Sequence, residues 1–167
     1  HSGLPVYTLL GGKFRNKVPV YLDRSGPLDV TNLDEWRRLT EETLKSGYTK
    51  FKFDVDYTAP DFVSDVWSRS IGREQMLAIA ERLSVAREVA GDKAEISVDC
   101  HMHYDLVSSI ELSRILSSIG ISWLEDPVPV MDLITLSEIR KKSTIPICAG
   151  EMYTFDLAKL AIKTKAV

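Results

Sequence analysis

The sequence lacks most of the features that assign a chain to a class of protein directly. Only two of its 167 residues are cysteines, Cys100 and Cys148, and they form no C-x-x-C motif. A zinc site or a disulfide framework is therefore not expected, and the two thiols suit a reducing, cytoplasmic compartment. No apolar run approaches the roughly 20 residues of a membrane-spanning helix. The net charge of -3 argues against nucleic acid or a membrane surface as a partner.

A phosphate-binding glycine loop is missing too. No G-x-G-x-x-G motif follows the first predicted strand, which counts against a dinucleotide-binding sheet. The two ends also lack the form of natural termini, because the chain opens as though a helix were already under way and stops on strand-like residues 165–167. With 44% hydrophobic residues the chain can bury one ordinary core. We expect it to be one domain from a longer protein.

What the sequence does contain is a repeated pattern of a strand followed by a carboxylate. Three short apolar runs end in Asp99, Glu125 and Glu151, and 26 residues separate each acid from the next. Each interval also contains one predicted helix, so the strands should be parallel and their ends should meet at one edge of the sheet. Three acids at one place repel each other and need a cation. An all-oxygen ligand set favours Mg²⁺.

The remaining elements alternate in the same way. Five successive strand–helix units fit either a TIM-type (β/α) barrel or a doubly wound open sheet. Acids at three consecutive strand tips favour the barrel, whose carboxyl-terminal rim carries the chemistry. Five units cannot close eight strands, so we predict an α/β fold that is a partial barrel over residues 18–167, with residues 1–17 connecting it to a domain before it. The predicted strands are 18–22, 49–55, 94–98, 121–124 and 145–149, and the predicted helices are 31–45, 72–90, 106–118, 131–142 and 155–164.

The second predicted strand carries charge on one face. Lys50, Lys52 and Asp54 alternate with apolar residues over 49–55. Charges on the inner face of a sheet covered on both sides call for a function or a partner, whereas an amphipathic edge strand would simply solvate them. The following residues, 56–71, show no period. Such a stretch is either a lid or binding loop or a disordered surface insertion.

Taken in order, these motifs resemble the enolase superfamily, specifically its mandelate racemase-like branch and, within it, the acid-sugar dehydratases of the galactonate and gluconate type. The resemblance covers essentially the whole chain. It implies that Asp99, Glu125 and Glu151 bind one Mg²⁺ ion, that a capping domain precedes residue 18, and that the protein is a homo-oligomer. The motifs that carry it are Leu9-Leu10-Gly11-Gly12-Lys13, the lysines of the second strand, Val98-Asp99, Leu124-Glu125-Asp126-Pro127 and Ala149-Gly150-Glu151.

The Lys-x-Lys motif of this family can be aligned here in two ways. Lys50 and Lys52 match it directly, whereas alignment on Gly47 and Tyr48 gives Lys52 and Asp54. Both registers place the residues on one face, so periodicity does not choose between them. We prefer the second, because Lys52 belongs to the motif in either. Asp54 would then replace the lysine that acts as a base in the racemases, and Lys50 would be left to bind substrate.

His101 is the most specific residue of the resemblance. Asp-x-His at this place is similar to the acid-sugar dehydratases, in which the histidine is the general acid on the leaving hydroxyl. Residues i and i+2 beyond a strand can project toward the same space, and an imidazole titrates near neutrality. The alternative is a loop histidine with no catalytic role. His103 competes for the role and is assigned to substrate binding.

The resemblance thus implies a Mg²⁺-dependent hydro-lyase that removes the C2 proton of a sugar acid, eliminates the C3 hydroxyl and yields a 2-keto-3-deoxy acid. The alternatives are a racemase, epimerase or cycloisomerase of the same superfamily, and a non-catalytic fragment of the fold. The base of this branch is expected beyond Val167. We therefore expect the 167 residues alone to bind metal weakly and to be inactive. The partner is a small-molecule sugar acid.

Overall fold

The computed structural model describes residues 2–56 and 69–167, which form a parallel sheet with helices between its strands. The strands are β1 (Leu22–Asp23), β2 (Lys50–Asp54), β3 (Glu95–Asp99), β4 (Ile121–Glu125) and β5 (Ile147–Cys148). The helices are α1 (Val6–Leu9), α2 (Leu33–Lys45), α3 (Arg73–Ala90), α4 (Leu106–Ser117), α5 (Leu133–Lys142) and α6 (Phe155–Thr164). Within the described residues, no helix combines the length and the apolar character needed to cross a membrane.

The strand order decides between the two predicted architectures. The sheet runs β1-β2-β3-β4-β5, in sequence order, and every neighbouring pair is parallel. A doubly wound sheet reverses its order at a switch point, and no reversal occurs here. Because parallel crossovers are right-handed, a sheet in sequence order carries its helices on one face, as a (β/α) barrel does. The predicted α/β fold with five barrel units is confirmed.

The predicted helices agree with the structure to within two residues, whereas the outer strands are shorter than predicted. β1 is Leu22–Asp23 and shares only Leu22 with the strand predicted at 18–22, and β5 covers only Ile147–Cys148 of 145–149. Each predicted strand contains a proline, Pro19 or Pro146, which has no N–H for a ladder hydrogen bond. Both strands also pair on one side only. The predicted loop at 56–71 lies for the most part, at 57–68, outside the described residues.

Side chains fix where most helices begin. The Asn32 side chain accepts a hydrogen bond from the backbone of α2, and Asp105, Asp132 and Thr154 do the same for α4, α5 and α6. Each cap satisfies a backbone N–H that the first helical turn leaves without a partner. Since α4, α5 and α6 follow the strands β3, β4 and β5, these caps also fix the lengths of the loops that carry the candidate site.

The core lies between the sheet and its helices. Phe53, Val98 and Leu124, each fully buried, project from neighbouring strands toward the helices and pack with Leu83 of α3 and Leu112 of α4. Side chains alternate along a strand, so the residues on either side of these three project to the opposite face. That face carries the polar residues, and it holds the candidate site.

Candidate active site

Three carboxylates lie side by side where β2, β3 and β4 end. Asp54 pairs with Asp99, and Asp99 pairs with Glu125, in the register of the sheet. Laterally paired residues project to the same face, so all three acids lie on the side away from the helices. All three side chains are buried, and Asp99 is only 1% exposed. Like charges this close, out of water, need positive partners.

Lys52 provides the positive charge. Its Nζ atom donates a hydrogen bond to Asp99 Oδ2 at 2.6 Å, and it lies 2.9 Å from Glu125 Oε2 and 3.7 Å from Asp23 Oδ2. The residue is 3% exposed. Burial on its own would lower the pKa of Lys52, but the hydrogen bonds and charges of Asp99 and Glu125 outweigh burial and raise the pKa well above its ordinary value. Lys52 is therefore an ammonium ion at any physiological pH.

Asp99 and Glu125 converge on one point, because both lie within 3 Å of the same ammonium nitrogen. Glu125 Oε2 is buried, and it lies 2.9 Å from the Lys52 ammonium. A buried carboxylate oxygen held against a positive charge is suited to a cation. The two acids therefore fit as oxygen ligands of a hard divalent ion, the class to which Mg²⁺ belongs.

A second grouping shares Asp99. One ligand atom each from Asp54, Asp99 and His101 lies within 4.8 Å of the other two. Within residues 2–56 and 69–167 this is the one group of three or more histidine, cysteine or acidic side chains that meets that distance. A buried Asp/Asp/His set of this kind could hold a metal ion. Asp99 is thus common to both possible ligand sets.

Glu151, the third predicted ligand, lies apart from the other two. β5 ends at Cys148, which pairs with Glu125, and Glu151 follows three residues later in the turn before α6. Its side chain is exposed and does not belong to the group within 4.8 Å. Its charge still acts on Asp126, directly after Glu125, so it lies near the same edge of the sheet. Its role as a metal ligand stays a prediction.

His101 is held against the same edge. Its backbone N–H donates to Asp99 Oδ1 at 3.0 Å, its Nδ1 lies 3.0 Å from Asp56 Oδ1, and its Nε2 lies 3.7 Å from Asp99 Oδ2. Its φ of 42° is in the left-handed region, which residues other than glycine rarely adopt. Burial lowers the pKa of His101, but the hydrogen bond and charge of Asp56, with the charges of Asp99 and Asp54, raise it overall. The imidazolium, the form that donates a proton, is favoured.

The two predicted substrate-binding residues lie in different places. Lys50 is at the opposite end of β2, where its Nζ lies 2.5 Å from Glu95 Oε1. His103 is 55% exposed, and its Nδ1 lies 3.6 Å from Asp56 Oδ2 at the candidate site. The positions of Lys50 and Lys52 favour the register in which Lys52 and Asp54 form the strand motif. Substrate binding by Lys50 has no support from its position and stays a prediction.

Comparison with known proteins identifies the family of this chain. Residues 35–167 match the model of the family described as enolase C-terminal domain-like. The chain belongs to the enolase superfamily. The mandelate racemase-like resemblance inferred from the motifs is confirmed, and with it the similarity to acid-sugar dehydratases.

Two curated relatives and one solved structure illustrate that similarity. The chain is 32% identical over 152 residues to D-xylonate dehydratase of Haloferax volcanii, covering 89% of this chain and 36% of that protein. It is 32% identical over 165 residues to a D-galactonate dehydratase family member of Catenulispora acidiphila, covering 90% of this chain and 37% of that protein. A mandelate racemase/muconate lactonizing enzyme-like protein from Rubrobacter xylanophilus superposes with a TM-score of 0.86 at 31% identity, covering 98% and 45%. The chain therefore spans less than half the length of these proteins.

In this enolase-superfamily chain, sequence reasoning missed two acidic residues. Asp56 contacts His101 and continues the alternation of Lys52 and Asp54 by one more step, which is the signal that could have identified it. Asp126 is 1% exposed, and neither of its carboxylate oxygens makes a hydrogen bond of good geometry. Burial, together with the charges of Glu125 and Asp99, raises the pKa of Asp126 to about 6, although the nearby Gly150 amide offsets part of the effect.

The raised pKa predicts how stability depends on pH. The usual value for Asp126 is 3.8, so between about pH 4 and pH 6 the unfolded chain has lost this proton while the folded chain keeps it. The free energy of unfolding then falls as pH rises through this window. Asp126→Asn removes the buried charge, so it should raise the free energy of unfolding by about 1–3 kcal/mol at pH 7. At pH 4 the free energy of unfolding should be nearly unchanged. Urea denaturation in EDTA measures both. A variant less stable than the parent at pH 7 would contradict the prediction.

Proposed function

We propose that the protein containing this chain is a Mg²⁺-dependent sugar-acid dehydratase that converts an aldonate to a 2-keto-3-deoxy acid. The observation that carries this proposal is the placement of His101, whose Nε2 lies 3.7 Å from an oxygen of Asp99 at the end of β3. An elimination needs a proton donor for the leaving hydroxyl, and a histidine beside a candidate metal ligand can be that donor. The names of the two curated relatives, a D-xylonate dehydratase and a D-galactonate dehydratase family member, support the same reaction class.

Asp99, Glu125 and Glu151 would hold the ion. When bound there, Mg²⁺ supplies Lewis-acid stabilisation for the negative charge that develops on the substrate carboxylate as the C2 proton leaves. The fit of the site rests on the convergence of Asp99 and Glu125, and Glu151 is proposed as the third ligand from its place after β5. The proposal for Asp54 is that its carboxylate takes the place of a second lysine and orients a substrate hydroxyl.

Lys52 would stabilise the same developing charge. Because its pKa is raised by Asp99 and Glu125, it donates hydrogen bonds and does not accept the C2 proton. Loss of one such preorganised donor typically costs on the order of 10²–10³ in rate. The base that removes the C2 proton is expected, from the resemblance, beyond Val167.

His101 would complete the elimination. The electron pair of the C2–H bond forms the C2–C3 double bond, and the electrons of the C3–O bond leave with the hydroxyl. His101 as imidazolium donates its Nε2 proton to that oxygen, which departs as water. The resulting enol tautomerises to the 2-keto-3-deoxy acid. His103, on the exposed side of Asp56, would contact the substrate beyond C3.

The reaction class is tested with a panel of aldonates. The intact protein with Mg²⁺ should yield 2-keto-3-deoxy acids, which a semicarbazide assay detects by the absorbance of the product. A racemase, epimerase or cycloisomerase of the same superfamily would instead yield C2 epimers or lactones. Only those products, with no keto acid from any aldonate, would refute the dehydratase proposal.

The role of His101 is tested by His101→Asn, with Asp92→Asn, at an exposed loop residue, as the control. The His101 variant should lose dehydration while still exchanging the C2 proton with deuterated solvent, because exchange needs the base and the metal but no acid at C3. The rate should fall by roughly 10²–10⁴, the range for a general acid. Proton NMR follows exchange and product formation in one sample. Loss of both reactions together would mean that His101 has a different role.

The ligand set is tested by removing each acid. Asp99→Asn, Glu125→Gln and Glu151→Gln should each weaken Mn²⁺ binding by at least the ~10–100-fold that loss of an outer-shell partner costs. Glu95→Gln is the control, because Glu95 lies at the other end of β3 and pairs with Lys50. Electron paramagnetic resonance of free Mn²⁺ measures the affinity. An unchanged affinity in the Glu151 variant would exclude that residue, and the Asp54, Asp99 and His101 group would then be the candidate site.

A further inference from the structure

We infer that Asp56 is a positioning residue for His101, holding the imidazole so that its Nε2 faces the reaction site beside Asp99. The inference rests on the proposed role of His101 as the general acid. Asp56 lies directly beyond β2, two residues after Asp54. It belongs to a different strand–helix unit from His101, so the contact joins the two loops that follow β2 and β3.

The contact fixes which nitrogen of His101 carries a hydrogen. Asp56 Oδ1 lies 3.0 Å from His101 Nδ1. An ionised carboxylate only accepts hydrogen bonds, so Nδ1 is the donor and its hydrogen is committed to Asp56. The other ring nitrogen, Nε2, then faces Asp99 and is the atom free to give a proton to a substrate. Without Asp56, rotation of the ring or a change of tautomer could turn the wrong nitrogen toward the substrate.

The backbone before Asp56 is held by the segments that carry Asp99 and His101. The Val55 N–H donates to the Asp99 carbonyl at 2.8 Å, and the buried Tyr104 hydroxyl donates to the Val55 carbonyl. Tyr104 itself follows the turn of His101 by three residues. Because the peptide next to Asp56 is fixed from both sides, the Asp56 carboxylate has a defined position. Its side chain is only 17% exposed, unlike the partners in a surface ion pair.

His103 shares Asp56 but is the lesser partner. Its Nδ1 lies 3.6 Å from Asp56 Oδ2, beyond hydrogen-bond distance, and its side chain is more exposed than that of His101. His103 also does not belong to the group of ligand atoms around Asp99. The orienting effect of Asp56 therefore acts on His101.

The test compares Asp56→Ala and Asp56→Asn in the intact protein, with Asp92→Asn, an exposed loop residue, as the matched control. Asp56→Ala should lower kcat for dehydration roughly 10–100-fold, the usual cost of losing a partner that orients a site residue, while KM changes less than about threefold and C2 proton exchange persists. Asp56→Asn should be less impaired, because its amide oxygen can still accept the Nδ1 hydrogen. A purely structural role would move KM, exchange and kcat together.

A spectroscopic measurement tests the contact without any substrate. In protein with ¹⁵N-labelled histidine, His101 should be in the Nδ1–H tautomer at high pH, and Asp56→Ala should shift it toward Nε2–H, with His101→Asn identifying the signal. An unchanged tautomer and an unchanged kcat in Asp56→Ala would overturn the inference, as would an equal loss of kcat in Asp92→Asn. A protein that dehydrates no aldonate but shows the tautomer shift would refute the proposed function and retain the contact.

Discussion

The burial of one cation among three strand-end acids is the constraint on which the candidate site depends. The parallel register of β2, β3 and β4 brings Asp54, Asp99 and Glu125 side by side. Lys52 precedes Asp54 by two residues on β2, so its side chain projects to the same face and contacts Asp99 and Glu125. Lys52 pairs with Asp99 and Glu125, because buried carboxylates packed this closely are costly unless positive charge meets them. The fold therefore gathers carboxylate oxygens at one point, and these are the ligands that a hard divalent ion prefers.

The alternation of side chains along the strands also explains why the buried acids do not disrupt the hydrophobic core. β2 and β3 give their apolar residues to the helices and their polar residues to the other face, so Phe53 and Asp54 follow one another yet lie in different environments. The end of each strand is held by its neighbour, as the Cys100 N–H donates to the Glu125 carbonyl at 2.9 Å. Core packing and ladder hydrogen bonds therefore position the carboxylates without using the carboxylates themselves. Ligand positions built this way are rigid.

Much of this could be predicted from the sequence, because the signals were local. Helix periodicity and caps such as Asn32 predict the helix boundaries to within two residues. The strand that precedes each acid, with one helix between the strands, predicts that Asp99 and Glu125 lie at the same edge of the sheet. The position of Glu151 could not be predicted, since β5 is short and the following turn separates it from the strand end. The contact of Asp56 with His101 spans 45 residues. No local pattern in the sequence predicts a contact over that distance. The alternation of Lys52, Asp54 and Asp56 predicts only that Asp56 lies on the same face of the sheet as the other two.

Under the proposed function, Asp54 stands where the resemblance places the second lysine of the strand motif, which acts as a base in the racemases. A racemase that works from both faces needs a base on each side. Here Lys52 is the lysine that remains near the acids, and its pKa is raised by Asp99 and Glu125, so it cannot take a proton. The residue poised to move a proton is His101, which is favoured in its charged form and held by Asp56. Within the described residues the strand ends therefore bring together a lysine that stays charged and a histidine whose charged form is favoured, which are the two groups that the proposed elimination requires.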